Sequence, residues 1–371
     1  MKKPIRILHV LGRLNRGGAE TMVMNLYRNI DRSRVQFDFI IHTSDKCDYD
    51  DEILSLGGII HHIPQFNGKN YLQYKKAWHR FFKSHPEYKI IHGHVRSTAS
   101  IYLWIAKKYE LITIAHSHST SSGRGISAFV KNTLQYPIRY IADYLFACSK
   151  SAGQWLFGEN VIKKSNFIIL KNAIDSQKYI YNQNNRMKIR KELEIEDKFV
   201  IGHVGRFNVS KNHELLINIF NVVHKRNNNS ILLMVGDGEL RPDIEKKVND
   251  LGLIDAVIFL GVRSDIPELL QAMDLFLFPS LFEGLGIAAI EAQAAGLQCL
   301  VSSSIPEEAF ITDLILSLPL TSSIDEWAER TISHSNKSSR GSMTEEVKSS
   351  GYDIHYTVQS AQKFYIEKCG K

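Results

Sequence analysis

The chain has 371 residues, room for two domains of ordinary size. It is 44% hydrophobic and 23% charged, a globular composition that excludes disordered, collagen-like and coiled-coil classes. The net charge of +7 is uneven: residues 1–170 hold 24 Lys+Arg against 12 Asp+Glu, residues 171–371 hold 22 against 27. This asymmetry predicts an anionic partner for the first half.

The apolar run after Met1-Lys2-Lys3-Pro4 stops at Arg13 with no small-residue cleavage site, so it does not read as a signal peptide. No uncharged apolar run reaches the roughly 18 residues that a bilayer span needs. Cys47, Cys148, Cys299 and Cys369 form no CxxC pair and read as reduced thiols of a cytosolic protein.

Short Ile/Val/Leu-rich runs alternate with longer amphipathic ones. Strands are predicted at Ile5–Leu11, Phe37–His42, Ile59–Ile63, Ile90–His92, Leu111–His116, Tyr144–Cys148 and Phe167–Leu170. A second series follows at Phe199–Val204, Ile231–Val235, Val257–Leu260, Leu275–Pro279 and Cys299–Ser302. Helices are predicted at Glu20–Ile30, Leu72–Lys83, His213–Arg226, Asp265–Ala272 and Ile287–Ala295, with a helix-like tail from Tyr356. The polar segment Asn172–Asp197 reads as an interdomain connection, and Ser333–Ser342 as a loop. Near-continuous apolar strands separated by helices indicate buried parallel sheets. Each series opens with a strand and a Gly turn, His9-Val10-Leu11-Gly12 and His203-Val204-Gly205. Two doubly wound α/β domains are therefore expected, with ligands in a cleft at the strands' carboxyl ends.

Gly12–Gly18 has the first spacing of a P-loop, but Gly18 and Ala19 stand where Lys and Ser/Thr are required. Triphosphate hydrolysis is thereby disfavoured, although a Gly turn feeding a helix still offers backbone N–H groups to a phosphate. Gly236-Asp237-Gly238 reads as a tight turn, because Arg241 replaces the third Gly of a dinucleotide fingerprint. The strongest constellation is Glu283-Gly284-Leu285-Gly286-Ile287, followed by Glu291. Its glycines permit close backbone approach at a helix start. Its two carboxylates suit sugar hydroxyls better than phosphate. Arg206 and Lys211 follow the first strand of the second series and suit a diphosphate clamp.

His92-x-His94 and His116-x-His118 end successive strands, each pair on one face. Zinc is a rival reading, disfavoured because no carboxylate lies nearby in the chain and HxH lacks the commoner zinc spacings. Tyr74, Ala77, Trp78, Phe81 and Phe82 form one stripe of a basic helix that fits either the core or an anionic bilayer. Ile126–Tyr140 adds Lys131, Arg139 and aromatics. No nucleic-acid motif is present, and no nucleic-acid partner is expected.

Gly205-Arg206…Lys211-Asn212, Gly236-Asp237-Gly238, Gly261 and Glu283-x7-Glu291, with Gly12…Gly17-Gly18-Ala19-Glu20, resemble the retaining GT-B glycosyltransferases of family 4 over nearly the whole chain. Ala115-His116-Ser117-His118-Ser119 and Leu170-Lys171-Asn172-Ala173-Ile174-Asp175 look like the bacterial exopolysaccharide and capsule subgroup. The resemblance implies two Rossmann-like domains facing across a cleft: an acceptor-binding domain over 1–172, joined by a C-terminal helix at about 354–371, and a nucleotide-sugar domain over 173–353. It implies transfer of a hexosyl residue from a UDP-sugar to a lipid-linked saccharide, with no cofactor and no metal. Arg206 and Lys211 would hold the diphosphate, Glu291 the ribose, and Glu283 with Gly284, Leu285, Gly286 and Ile287 the donor sugar. Val262 and Arg263 would lie near the base, and Gly12, Gly17 and Gly18 would line phosphates or acceptor. His118, or in the adjacent register His116, would stand at the reacting centre, with Arg124 on the acceptor side. The alternatives are a nucleotide-sugar epimerase on the same fold and a zinc hydrolase. The basic half is then assigned to an anionic membrane surface, making the protein cytoplasmic and peripheral to the inner face of the plasma membrane.

Overall fold

The computed structural model describes residues 3–120, 126–334 and 340–370. The chain divides into two compact units, residues 1–173 with 352–371, and residues 174–351.

The first unit contains β1 (Ile5–Val10), β2 (Val35–Ile41), β3 (Ile60–His62), β4 (Ile90–Gly93), β5 (Ile112–Ser117), β6 (Tyr144–Ala147) and β7 (Phe167–Ile169). They form one parallel sheet in the order β3-β2-β1-β4-β5-β6-β7. Period-2 alternation splits its side chains between two cores. Ile7, Phe37, Phe39 and Ile41 pack on one face, while Leu8, Val10, Ile40 and Ile91 pack on the other. The C-terminal helix Ile354–Cys369 returns to the first face, against the helix Gly18–Asn29 and strands β1 and β2. Ile354, Val358, Ala361 and Tyr365 form its buried stripe.

The helix Tyr71–Ser84 settles a choice left open by its sequence. Tyr74, Trp78 and Phe82 are buried in the second core, so its aromatic stripe does not face a membrane. Lys76, Arg80 and Lys83 are exposed on the other side.

The second unit contains β8 (Phe199–Val204), β9 (Ser230–Val235), β10 (Val257–Phe259), β11 (Leu275–Phe278), β12 (Cys299–Ser302) and β13 (Ile315–Leu318). These strands are parallel in the order β10-β9-β8-β11-β12-β13. Strand β13 was not predicted. It is a four-residue edge strand with mostly half-buried side chains, too short to show a period. The supposed connection Asn172–Asp197 also contains a helix, Gln183–Glu192. Its inner face mixes apolar and cationic groups: Ile189 and Arg190 are buried, the partly buried Arg186 and Arg190 reach Asp274 at 2.5 and 3.2 Å, and Asp274 also accepts from the Val200 N–H.

Each sheet reverses direction once, beside β1 in the first unit and beside β8 in the second. Ligands of doubly wound sheets bind outside the strand ends at such points, because neighbouring connections leave there in opposite directions. Among the described residues no helix is long and apolar enough to cross a membrane.

Trp78→Ala should destabilise the first unit by about 3–5 kcal/mol, as expected for emptying a buried aromatic site, and leave vesicle binding by the folded protein unchanged. Urea unfolding and vesicle co-sedimentation measure the two. Lost vesicle binding by folded variant would return Trp78 to the membrane face.

Candidate functional site

In the second unit, backbone contacts draw the loops after β8, β9, β10 and β11 together. The Gly205 N–H donates to the Val235 carbonyl, Phe207 N–H to Asp237, Gly236 N–H to Gly261, and Leu281 N–H to Ser210, at 2.7–3.0 Å. Gly236 has φ +132°, and a Cβ there would lie 2.1 Å from the Gly205 carbonyl oxygen. The Gly-Asp-Gly turn is thus built for close backbone packing.

This packing places Lys211 against Glu283 across the reversal between β8 and β11. Their Nζ–Oε1 distance is 2.6 Å, with only 15% and 13% of the side chains exposed. The ammonium also lies 4.5 Å from the centre of the Phe278 ring. Burial and the Lys211 charge hold His213 neutral, with its pKa pushed down to about 4. Arg206 stands further out, exposed and 3.3 Å from Glu239.

Next to Glu283, Gly286 is left-handed at φ +86° and begins the helix Ile287–Ala294. A side chain there would be strained, and its Cβ would press on Ile305 at 3.3 Å. The Leu285 side chain is buried, so this loop presents backbone rather than an apolar group. The Tyr179 hydroxyl donates to Glu291 Oε1 at 2.9 Å. Burial raises Glu291 from 4.5 to about 7, opposed by that hydrogen bond and by Lys211. Arg263 is paired with Asp265 at 2.8 Å, and Val262 is exposed beside it.

In the first unit, Gly12 and Gly17 lie between β1 and the helix Gly18–Asn29, which Gly18 opens. Gly12 and Gly18 have open space where a Cβ would stand, and neither has a positive φ. Their small size therefore keeps the backbone accessible. A Cβ at Gly17 would meet Glu20 Oε2 at 2.5 Å.

The strand ends beside this loop carry five histidines. His92 and His94 are both buried. His9 was missed, although it lies next to the end of its strand in register with His92. The rings form two hydrogen-bonded chains. His9 Nδ1 meets His94 Nε2 at 3.0 Å, and His94 Nδ1 meets His118 Nε2 at 2.8 Å. In the second chain the Tyr365 hydroxyl meets His92 Nδ1 at 2.8 Å, and His92 Nε2 meets His116 Nδ1 at 3.0 Å. Burial holds all five imidazoles neutral, with His118 pushed down to about 3. His9–His92–His94 and His94–His116–His118 each bring nitrogens within 4.8 Å, close enough for a metal. Several of those nitrogens are engaged with one another instead. Arg96, also missed by sequence reading, adds its charge against protonation of His118. Its guanidinium lies 4.6 Å from the centre of the Trp155 ring and has no carboxylate partner among the described residues. Arg124 lies outside the described residues.

The profile described as Glycosyltransferase Family 4 matches residues 16–178, and that described as Glycosyl transferases group 1 matches residues 185–335. Over 371 aligned residues the chain is 36% identical to EpsF of Bacillus subtilis (strain 168), named as a glycosyltransferase, covering 97% of this chain and 96% of that protein. The chain belongs to the family 4 glycosyltransferases. Another relative of the family is the capsular polysaccharide biosynthesis glycosyltransferase CapH of Staphylococcus aureus, 26% identical over 98% of this chain and 99% of its own. Anabaena Alr3699/HepE, solved with UDP and glucose, shares the GT-B fold at TM-score 0.80 and 17% identity, covering 97% of this chain and 99% of that one.

In this glycosyltransferase the sequence-selected residues fall into two groups. Lys211, Glu283, Gly284, Gly286, Ile287 and Glu291 gather around one sheet's reversal, with Arg206, Val262 and Arg263 on the adjoining loops. His116 and His118 join the other sheet's histidine cluster, near the Gly12–Gly18 loop.

Glu291 has a testable pH signature. Its folded-state pKa of about 7 exceeds its ordinary 4.5, so the folded state binds the proton more tightly. Its contribution to stability is present below pH 4.5 and is lost as pH rises to about 7. Glu291→Gln keeps the Tyr179 partner and removes the titration. The variant should gain stability relative to the parent as pH rises through this window in urea unfolding. A pH-independent difference would refute the assignment.

Proposed function

We propose that the protein is a retaining, metal-independent hexosyltransferase that uses a UDP-sugar and glycosylates a lipid-linked saccharide for a surface polysaccharide. The observation that carries this reading is the partly buried Lys211–Glu283 pair at the second sheet's reversal, beside the left-handed start of the helix at Gly286. Lys211 and Arg206 offset the charge that grows on the departing diphosphate. Glu283 accepts hydroxyls of the donor sugar, and its contact with Lys211 keeps the two groups aligned. Glu291, steadied by Tyr179, accepts from the ribose. The bond from the anomeric carbon to the diphosphate breaks as the acceptor oxygen bonds on the same face. The acceptor's hydroxyl proton leaves with the diphosphate.

The donor class is supported by Anabaena HepE, which was solved with UDP and with UDP-glucose. An Escherichia coli relative, 34% identical over 139 residues and 36% of this chain, is named UDP-Gal:alpha-D-GlcNAc-diphosphoundecaprenol alpha-1,3-galactosyltransferase. An anionic acceptor also suits the charge of the first unit, 28 Lys+Arg against 14 Asp+Glu, and its uncompensated Arg96. Peripheral membrane contact is assigned to the helices Ile126–Gln135 and Ile138–Ile141 and the turn between them. They expose Phe129, Val130, Tyr136 and Tyr140 beside exposed Lys131. Such a surface inserts aromatics at the headgroup level and attracts anionic lipid.

A thermal-shift panel of UDP-, GDP- and ADP-sugars should single out a UDP-sugar, with about 2.7 kcal/mol of added stability at 100 times Kd. Lys211→Ala should lower kcat by about 10²–10³-fold while the protein stays folded. Product NMR should show the donor's anomeric configuration retained, and a chelator should leave transfer unchanged. Indifference to every UDP-sugar, or conversion of the donor sugar without acceptor, would overturn this reading. Vesicle binding should weaken from low to high salt and fall in Phe129→Ser/Tyr140→Ser; binding insensitive to both would remove the membrane assignment.

A further inference from the structure

We propose that His9 and His94 are positioning residues that fix the tautomer of His118, so that His118 presents Nδ1 as a bare hydrogen-bond acceptor toward a substrate hydroxyl. This rests on the reading that His118 faces the reacting sugar.

Three neutral imidazoles, His9, His94 and His118, carry three N–H groups and six nitrogens. Their two mutual hydrogen bonds use four nitrogens and two N–H groups. The two nitrogens left over are His9 Nε2 and His118 Nδ1, both buried and without a partner among the described residues. One N–H remains for these two ends. Two neutral acceptors facing each other would break a hydrogen bond, so the three rings change tautomer together. Whichever end takes the last proton leaves the other with a lone pair.

The surroundings of the two ends decide between them. His9 lies among aromatic rings, with centroids at 4.2 Å for Phe37, 5.8 Å for Phe39 and 6.4 Å for Tyr365. A ring face is electron-rich. Phe37 is tilted 52° to the imidazole, so the His9 ring is set among aromatic π-density, which favours an N–H over a lone pair. His118 instead lies within the field of the Arg96 guanidinium, which attracts a lone pair and repels a further proton. Both ends select one orientation. His9 keeps Nε2–H and accepts from His94 Nε2–H, and His94 accepts from His118 Nε2–H. His118 Nδ1 is left with its lone pair.

The chain through His92 ends differently. Tyr365 keeps its O–H, because burial raises its pKa far above the ordinary value. If Tyr365 donates to His92 Nδ1, His92 Nε2–H donates to His116 Nδ1 and His116 holds Nε2–H. The opposite orientation would strand the phenolic proton. Two rings with centroids 4.0 Å apart thus acquire opposite polarity: His118 accepts and His116 donates.

The test is long-range ¹H–¹⁵N correlation of protein labelled with ¹⁵N-histidine, with His118 assigned by its disappearance in His118→Phe. Wild-type His118 should show a pyridine-type Nδ1 and a pyrrole-type Nε2 at neutral pH. His9→Leu, which cannot accept from His94, should mix the tautomers of His118. It should also lower kcat by about 10- to 100-fold, as other partners that orient a functional histidine do, with KM for the UDP-sugar unchanged. His9→Gln, whose amide oxygen can accept, should restore both readouts. A protonated Nδ1 in wild type overturns the relay, even if His9→Leu does not fold. An unchanged tautomer and kcat in folded His9→Leu overturn it equally. Full transfer by His118→Phe would cut the relay from catalysis. Absence of UDP-sugar binding by wild type would defeat the functional reading instead.

Discussion

A parallel sheet covered by helices on both faces buries nearly all of its backbone and side chains. Polar chemistry is then confined to the strand ends, and access is greatest where the order of connections reverses. That constraint governs both units. The sequence spends its apolar residues on continuous strands such as Val35–Ile41 and Ser230–Val235, and its chemistry on the residues just beyond them. Lys211 follows β8, Glu283 follows β11, and His94 and His118 stand just past β4 and β5.

The two strand-end clusters manage electrostatics in opposite ways. In the second unit a cation and a carboxylate are both retained and paired at low exposure. Removing one member would strand the other's charge, so the pair holds its geometry. In the first unit the strand ends are filled by neutral imidazoles, because desolvation disfavours charge on every ring. There, direction is stored in proton positions rather than in net charge. Arg96 contributes a charge without a matching acid among the described residues.

Much of the fold was legible because buried parallel strands are compositionally plain. Phe199–Val204 and Cys299–Ser302 begin and end where the apolar runs do, and the pairing of β-runs with helices implied the α/β architecture. The exceptions share a cause. Strand β13 is short and half-buried, and the helix Gln183–Glu192 sets arginines against Asp274, so neither shows the expected apolar period. The helix Tyr71–Ser84 has a readable stripe, but periodicity does not say whether that stripe meets protein or lipid. Local spacing revealed Glu283 and Glu291 because they flank one glycine turn. The link between Lys211 and Glu283 depends on β8 and β11 being neighbours, a fact of topology. His9 and Tyr365 were missed for the same reason: they reach the histidines at separations of 85 and 273 residues, and no short motif spans them.

The return of Ile354–Cys369 to the first unit also has a consequence for how the protein is made. The ribosome releases residues 174–351 before the last helix of the first unit exists. The second unit can therefore close on its own sheet during elongation, while the first waits with the surface destined for Ile354, Val358, Ala361 and Tyr365 uncovered. At about 5–20 residues per second, that wait lasts roughly ten seconds or more. Strands β1 and β2 are made before the second unit and sealed after it. Truncation after residue 351 would therefore uncover a face of the first sheet while leaving every residue of that sheet in place.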